Sequence, residues 1–406
     1  NNLSLEGKRK EIQKSKYGVS ENRSKLLPQI NAIAGYSNNF DPPVSVTDGS
    51  SYGVPYNITK TLQHSANAGL EMQMPLFNQT LYTSMSIAKV MEEISRLSYG
   101  KAREDVILQI SKMYYLGQVT AEQIMLIKAN IIRLEELRDI TQAFFDNGMS
   151  MEVDLKRVNI NLENLKVQYD NAQAMMKQQL NMLKYIMDYP AEKEFVLTPV
   201  NTDSITTVAL TGLSENIYEL QLSQSQVQLA EKQKKIISNG YIPSLSLTGS
   251  WRYAAYTDKG YHWFHSGPSN HWFRSYGLGL TLRIPIFDGL DKTYKIKKAM
   301  IDIENSKLAW ENARKSLQTQ YLNAVNDLMN NQRNFKKQKD NYLLAEDVYT
   351  VTSDRYREGI ASMTEVLQDE MQMSEAQNNY ISAHYNYRIT NLMLLKLTGQ
   401  IESLVK

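Results

Sequence analysis

The sequence predicts a mainly α chain with a β-barrel portion: long antiparallel helical hairpins plus four strands, built as two copies of one unit. Three observations carry that fold class. The chain repeats itself at an offset of 210–215 residues, two long stretches lack proline, and four segments alternate apolar with polar residues. The repeat weighs most, because overlooking one misassigns the whole fold.

The copies match weakly in identity but hold their order. Leu27-Pro28-Gln29-Ile30 returns as Ile242-Pro243-Ser244-Leu245. Leu70 to Phe77, with Pro75, returns as Leu280 to Phe287, with Pro285. Asn147-Gly148, with Asp154 six residues on, returns as Glu358-Gly359 with Glu365 six residues on. Each copy reads helix, strand, strand, very long helix, long helix. Repeat one covers 1–187, with a helix at 1–26, strands at 28–40 and 66–77, and a helical hairpin at 79–186 tipped by Gly148. A connector follows at 188–212, marked by Pro190, Pro199 and several threonines. Repeat two covers 213–398, with a helix at 213–239, strands at 242–256 and 276–287, a hairpin at 289–397 tipped by Gly359, and a tail at 399–406. The two repeats form a single unit over 1–406. The chain opens in a helical pattern without a start signal, which predicts a processed or truncated N-terminus.

Proline breaks helix interiors, and none lies between Pro75 and Pro190 or after Pro285. Within those stretches Ile87, Val90, Ile94 and Leu97 step by three and four, as do Ile124, Ile127, Ile131 and Leu134; Leu308, Leu317, Tyr321, Ala324, Val325 and Leu328 do so more loosely. Such stepping marks helices packed along narrow seams. Asn78 and Asp288 follow the strand-ending Phe77 and Phe287 and suit N-caps. Each outgoing helix would run about 100 Å at ~1.5 Å per residue. Rods of that length must pack on each other and on other chains. The return helices are half as long, a shortfall made up if 1–26 and 213–239 stack end to end on them. A glycine at each tip suits a tight helix–helix turn.

The strand segments place Leu278, Leu280, Leu282, Ile284 and Ile286 on one face and Gly277, Gly279, Thr281 and Arg283 on the other. Leu70, Met72, Met74 and Leu76 oppose Gly69, Glu71 and Gln73; Leu245, Leu247, Trp251 and Tyr253 oppose Ser244, Ser246, Thr248, Ser250 and Arg252. Strands of 10 to 14 residues, with charge on one face and an aromatic-ended apolar band on the other, suit a membrane barrel. Trp251, Tyr253, Tyr256 and Tyr276 suit an interfacial aromatic belt. Two long loops, 41–65 and 257–275, separate the strands. Four strands cannot close a barrel, and open edges are not tolerated in lipid. The chain must therefore oligomerise: two copies give eight strands and a filled interior, three give twelve and an open lumen.

Composition removes several classes. Charge is nearly balanced, with a net of +2, so nothing calls for nucleic acid. There are no cysteines, hence neither a disulfide framework nor a thiolate metal site. No apolar run approaches the length of a spanning helix. His262, His265 and His271 sit in an aromatic loop whose nearest acid is Asp258 and are read as loop residues, so no metal or cofactor is expected. No catalytic constellation is present, and the chain is not read as an enzyme.

Two helix–strand–strand–helix–helix repeats with glycine-tipped hairpins resemble the TolC family of trimeric outer-membrane efflux and secretion channels. The resemblance covers almost the whole chain. Its most specific part is the doubled tip motif, Gly148 to Asp154-Leu155 and Gly359 to Glu365-Val366-Leu367. The resemblance implies a homotrimer in outer-membrane lipid with a twelve-stranded barrel and a periplasmic helical barrel. It also implies tips that dock a periplasmic adaptor (membrane fusion) protein, and through it an inner-membrane RND or ABC-type transporter, in a tripartite efflux or type I secretion system. The duct would be passive and close like an iris at its periplasmic end. Carried onto this sequence, Glu365 takes the acidic gate position, while a second acidic position is Gln368. Tyr356 matches a tyrosine that can bond the first repeat's acid, here Asp154, and the expected basic partner is Ala361. Three Glu365 carboxylates around one axis would favour cations. The alternative class is a trimeric coiled-coil fibrous or adhesive surface protein without conduction.

Overall fold

The computed structural model describes residues 2–198, 212–257 and 272–405. Its elements in order are α1 (Leu3–Ser24), β1 (Gln29–Asn38), β2 (Val44–Asp48), β3 (Tyr56–Lys60), β4 (His64–Phe77), α2 (Gln79–Asp146), α3 (Glu152–Met187), α4 (Tyr218–Ser238), β5 (Ser244–Thr257), β6 (Trp272–Arg283), α5 (Asp291–Arg357) and α6 (Met363–Leu397). They group into two compact units. One holds 13–94 and 225–307, and the other 1–12, 95–224 and 308–406.

The first unit is built on a four-stranded antiparallel sheet in the order β1-β4-β5-β6. The two repeats meet at the β4–β5 pair, where Leu70 faces Trp251 and Glu71 faces Ser250. β4 runs through Pro75, which removes a ladder donor, and the register slips between Pro75 and Phe77. Asn78 Oδ1 then accepts from the backbone N–H of Thr80 at 3.0 Å and of Leu81 at 3.3 Å, starting α2. Two sequence expectations are corrected here. The last strand, expected at 276–287, occupies 272–283, because β5 begins only at Ser244, opposite Arg283, and leaves nothing in the chain for 284–287 to pair with. The 41–65 stretch is not a plain loop: β2 and β3 pair antiparallel, Val46 opposite Ile58 and Thr47 opposite Asn57. Its alternating Val44-Ser45-Val46-Thr47 is a strand signal flanked by Pro42, Pro43 and Pro55.

The second unit packs α2, α3, α5 and α6 around Leu134, Leu137, Val158, Leu162, Tyr349, Val366 and Met373. A second cluster joins Leu317, Tyr321, Ala324 and Leu328 of α5 to Leu394 and Leu397 of α6 and Leu220 of α4. Fully burying one such leucine contributes about 1.5–3 kcal/mol. Gly100 lets α2 approach α4: a Cβ there would lie 2.4 Å from the Tyr218 ring.

The short helices cap the long ones. Asn2 Oδ1 accepts from Leu5 N at 3.2 Å at the start of α1, and Asn2 Nδ2 donates to Ile186 O at 2.6 Å at the end of α3. One side chain thereby satisfies orphan groups of two helix ends. At the end of α6, Ser214 N donates to Leu397 O at 3.3 Å, just ahead of α4. The described part of the expected tail, 399–405, is ordered onto the helices. Gly399 takes a φ of 71°, and 401–405 form a 3-10 turn with Ile401 fully buried and Glu402 paired with Arg103 at 3.1 Å.

Candidate functional site

Both hairpin tips share one turn. Gly148 has a φ of 73° and Gly359 one of 74°, a region that favours glycine. Met149 N donates to Phe144 O, and Ile360 N to Arg355 O, both at 2.8 Å, closing each outgoing helix with the bond that marks a Schellman end. The tips then diverge. Met149 and Met151 of the first are 67% and 71% exposed, so it offers an apolar surface. α3 starts at Met151 without a side-chain cap. α6 starts with a capping box: Ser362 Oγ accepts from Glu365 N at 3.3 Å, and Glu365 Oε2 accepts from Ser362 N at 2.9 Å.

Glu365 is therefore held by its own helix end, yet its side chain is exposed, as is Gln368. Asp154, half-buried, pairs with Arg157 at 3.3 Å, and Arg157 also donates to Thr364 Oγ1 at 3.4 Å on α6. The expected Tyr356–Asp154 bond is absent from this structure. Tyr356 is 5% exposed, its ring packs on Phe144, and its hydroxyl donates to Thr141 Oγ1 at 3.3 Å. The reason is packing: the ring belongs to the core between α2 and α5, which points it away from the tip acid. Ala361 carries no charge. The basic groups linking the helices here are Arg157 and Arg357, the latter reaching Glu136 at 3.2 Å.

Further along the bundle, α2 and α6 are tied by polar pairs that no sequence spacing announced. Asn130 and Gln377 exchange two bonds, at 2.7 and 3.4 Å, in the interior. Glu122 accepts from Tyr380 at 2.8 Å and from the fully buried His384 Nδ1 at 3.2 Å. Arg388 Nε donates to His384 Nε2 at 3.4 Å, which leaves the proton on Nδ1, facing Glu122. Phe335 stacks on the set. Burial works against the Glu122 carboxylate, but the His384 and Tyr380 hydrogen bonds outweigh it and hold its pKa below the ordinary value. Glu370, buried on α6, goes the other way: desolvation raises it, and Arg133 only partly compensates. Arg133 itself pairs with Glu346 at 3.1 Å.

The sheet has two unlike faces. Leu278, Leu280 and Leu282 are 80%, 67% and 61% exposed, and Trp251 lies beside Tyr276 on their face. Tyr256, expected in the same belt, pairs with Ser65 and falls on the opposite, polar face. That face carries Asn31, Glu71, Gln73, Thr248, Ser250 and Arg252, with Glu71 and Arg252 bonded at 2.6 Å. Among the described residues no metal-binding cluster occurs. His262, His265, His271 and Asp258 lie outside the described residues. No described helix is long and apolar enough to cross a membrane.

A sheet with one lipid-compatible face and one polar face, joined to long paired helices, defines an outer-membrane channel. The chain belongs to the outer membrane efflux protein family, whose model matches residues 1–187 and 201–400. It is 21% identical to the outer membrane protein TolC of Vibrio cholerae, over 94% of this chain and 84% of that one. It is 24% identical to the probable efflux pump outer membrane protein TtgC of Pseudomonas putida, over 88% of this chain and 75% of that one. Among solved structures it resembles VceC of Vibrio cholerae (TM-score 0.77, 14% identity, 98% and 93% coverage) and the channel MtrE of Neisseria gonorrhoeae (0.78, 18%, 98% and 86%). The chain is an outer-membrane channel protein and not an enzyme, and the fibrous alternative falls away.

Proposed function

We propose that three copies of the chain form a passive exit duct. One observation carries the reading: a four-stranded sheet with open edges at β1 and β6 and a strongly exposed leucine face. Open edges are costly in lipid, and the strand directions let β6 of one copy pair antiparallel with β1 of the next. The helices supply a second argument. Val153, Ile160, Val167, Met175 and Met182 on α3 are exposed at near-heptad spacing, as are Leu308, Leu322, Met329 and Leu343 on α5. Heptad stripes left bare in one copy suit the flanks of neighbouring copies.

In this reading the tips form the inner mouth. Glu365 supplies the acidic ring, Gln368 stands where a second ring would be, and Asp154, paired with Arg157 that also reaches Thr364, belongs to the closed arrangement. Gly148 and Gly359 shape the surface that docks a periplasmic adaptor, which connects to an RND or ABC-type transporter; efflux or type I secretion then draws its energy from that partner. Opening moves one helical pair past the other, like an iris. The absence of cysteine gives a clean test. One cysteine placed on β1 and one on β6 should, on oxidation in membranes, yield a ladder ending at three copies. A ladder ending at two, or no ladder at any pair along the edges, contradicts the twelve-stranded barrel.

A further inference from the structure

The four main strands carry four fully charged side chains: Glu71, Arg252, Arg274 and Arg283. Arg274 pairs with Tyr253 on the apolar face. Arg252 and Arg283 lie on the polar face, and Arg252 is neutralised by Glu71 at 2.6 Å. Arg283 is different. Its cross-strand neighbour is Ser244, its side chain is exposed, and no carboxylate pairs with it among the described residues. It stands at the end of β6, five residues before Asp288, where the chain leaves the sheet for α5.

We propose that Arg283 builds a basic girdle at the helix-side mouth of the barrel, a transient docking point for solutes bearing carboxylate or phosphate groups. The proposal rests on the three-copy reading. A closed twelve-stranded barrel measures about 24 Å between facing backbones, from ~4.8 Å strand spacing and a tilt of ~40°. Guanidinium groups reaching inward from that wall come within about one Debye length of the axis, ~10 Å at 0.1 M salt, so their fields overlap across the opening. Arginine stays charged at every accessible pH, and its planar fork matches carboxylate and phosphate oxygens. The Glu71–Arg252 pair further along adds no net charge. The duct then carries two rings of opposite sign in series: acidic at the tips, basic where helices become strands.

Reversal potentials of the full chain in planar bilayers under a KCl gradient test this, with citrate as the anionic probe. Arg283→Gln should raise the cation-to-anion permeability ratio by about twofold or more and relieve citrate block. Arg283→Lys, which keeps the charge and loses the fork, should leave the ratio near wild type and weaken citrate block, and Glu71→Gln, by freeing Arg252, should shift the ratio the other way. If Arg283→Gln does not assemble, Glu71→Gln alone reads the sign of the lumen wall. Unchanged potentials and unchanged citrate block in conducting channels overturn the girdle and leave the duct intact. A wild-type protein that never conducts removes both.

Discussion

In the proposed duct, the carboxylate of Glu365 would serve both a helix end and a gate. Its bond to Ser362 N satisfies an orphan donor, and its charge faces open space at the tip. Glutamine also completes a capping box. Glu365→Gln should therefore leave stability within ~0.5 kcal/mol while weakening cation selectivity; an unchanged reversal potential takes Glu365 out of the gate. The tip glycines were legible in the sequence because only their doubled spacing to an acid made them meaningful. The expected Tyr356–Asp154 bond failed, because motif position fixes where a residue sits on a helix and not which neighbour its ring packs against. Here Phe144 and Thr141 claim it.

At the scale of elements, the long helices were readable from missing prolines and three-four stepping, since these report local backbone and seam requirements. Polar ties between helices were not, because Glu122 and His384 are 262 residues apart with no spacing rule to join them. Glu122→Ala should strand the buried His384 and Tyr380 groups and cost ~2–4 kcal/mol, read as a lower denaturant midpoint. Because the Glu122 pKa is lowered, its contribution is complete above the ordinary value of 4.5 and lost as pH falls below it. Glu104 has the opposite sign. Burial, reinforced by Glu402 and Asp105 and opposed by Lys396, raises it to about 7. The folded chain then holds a proton that the unfolded chain releases above 4.5, so this group costs stability increasingly from there to about pH 7. Glu104→Gln should stabilise the helical unit by ~1–3 kcal/mol at pH 8, with the gain shrinking toward pH 4.5; thermal melts at the two pH values would show it. Strand ends and the β2–β3 hairpin were misjudged for a related reason. Where a strand stops depends on its partner, as Ser244 decides for Arg283.

The whole molecule explains the duplication. Two repeats give one sheet two open edges, and two tips of different chemistry: an apolar one at Met149 and Met151, and a capped acidic one at Glu365. A threefold assembly would offer six tips in two alternating kinds to its partner. The sequence revealed the repeat and the class of channel, but the cargo is set by shape and charge in a lumen that only assembled copies enclose. The most direct measurement is single-channel recording of the purified chain in planar bilayers. Wild type should show rare or small openings, and Asp154→Ala combined with Glu365→Ala long, discrete, ohmic steps of higher conductance. A well-folded oligomer that passes no current, with or without those substitutions, would contradict the exit-duct account.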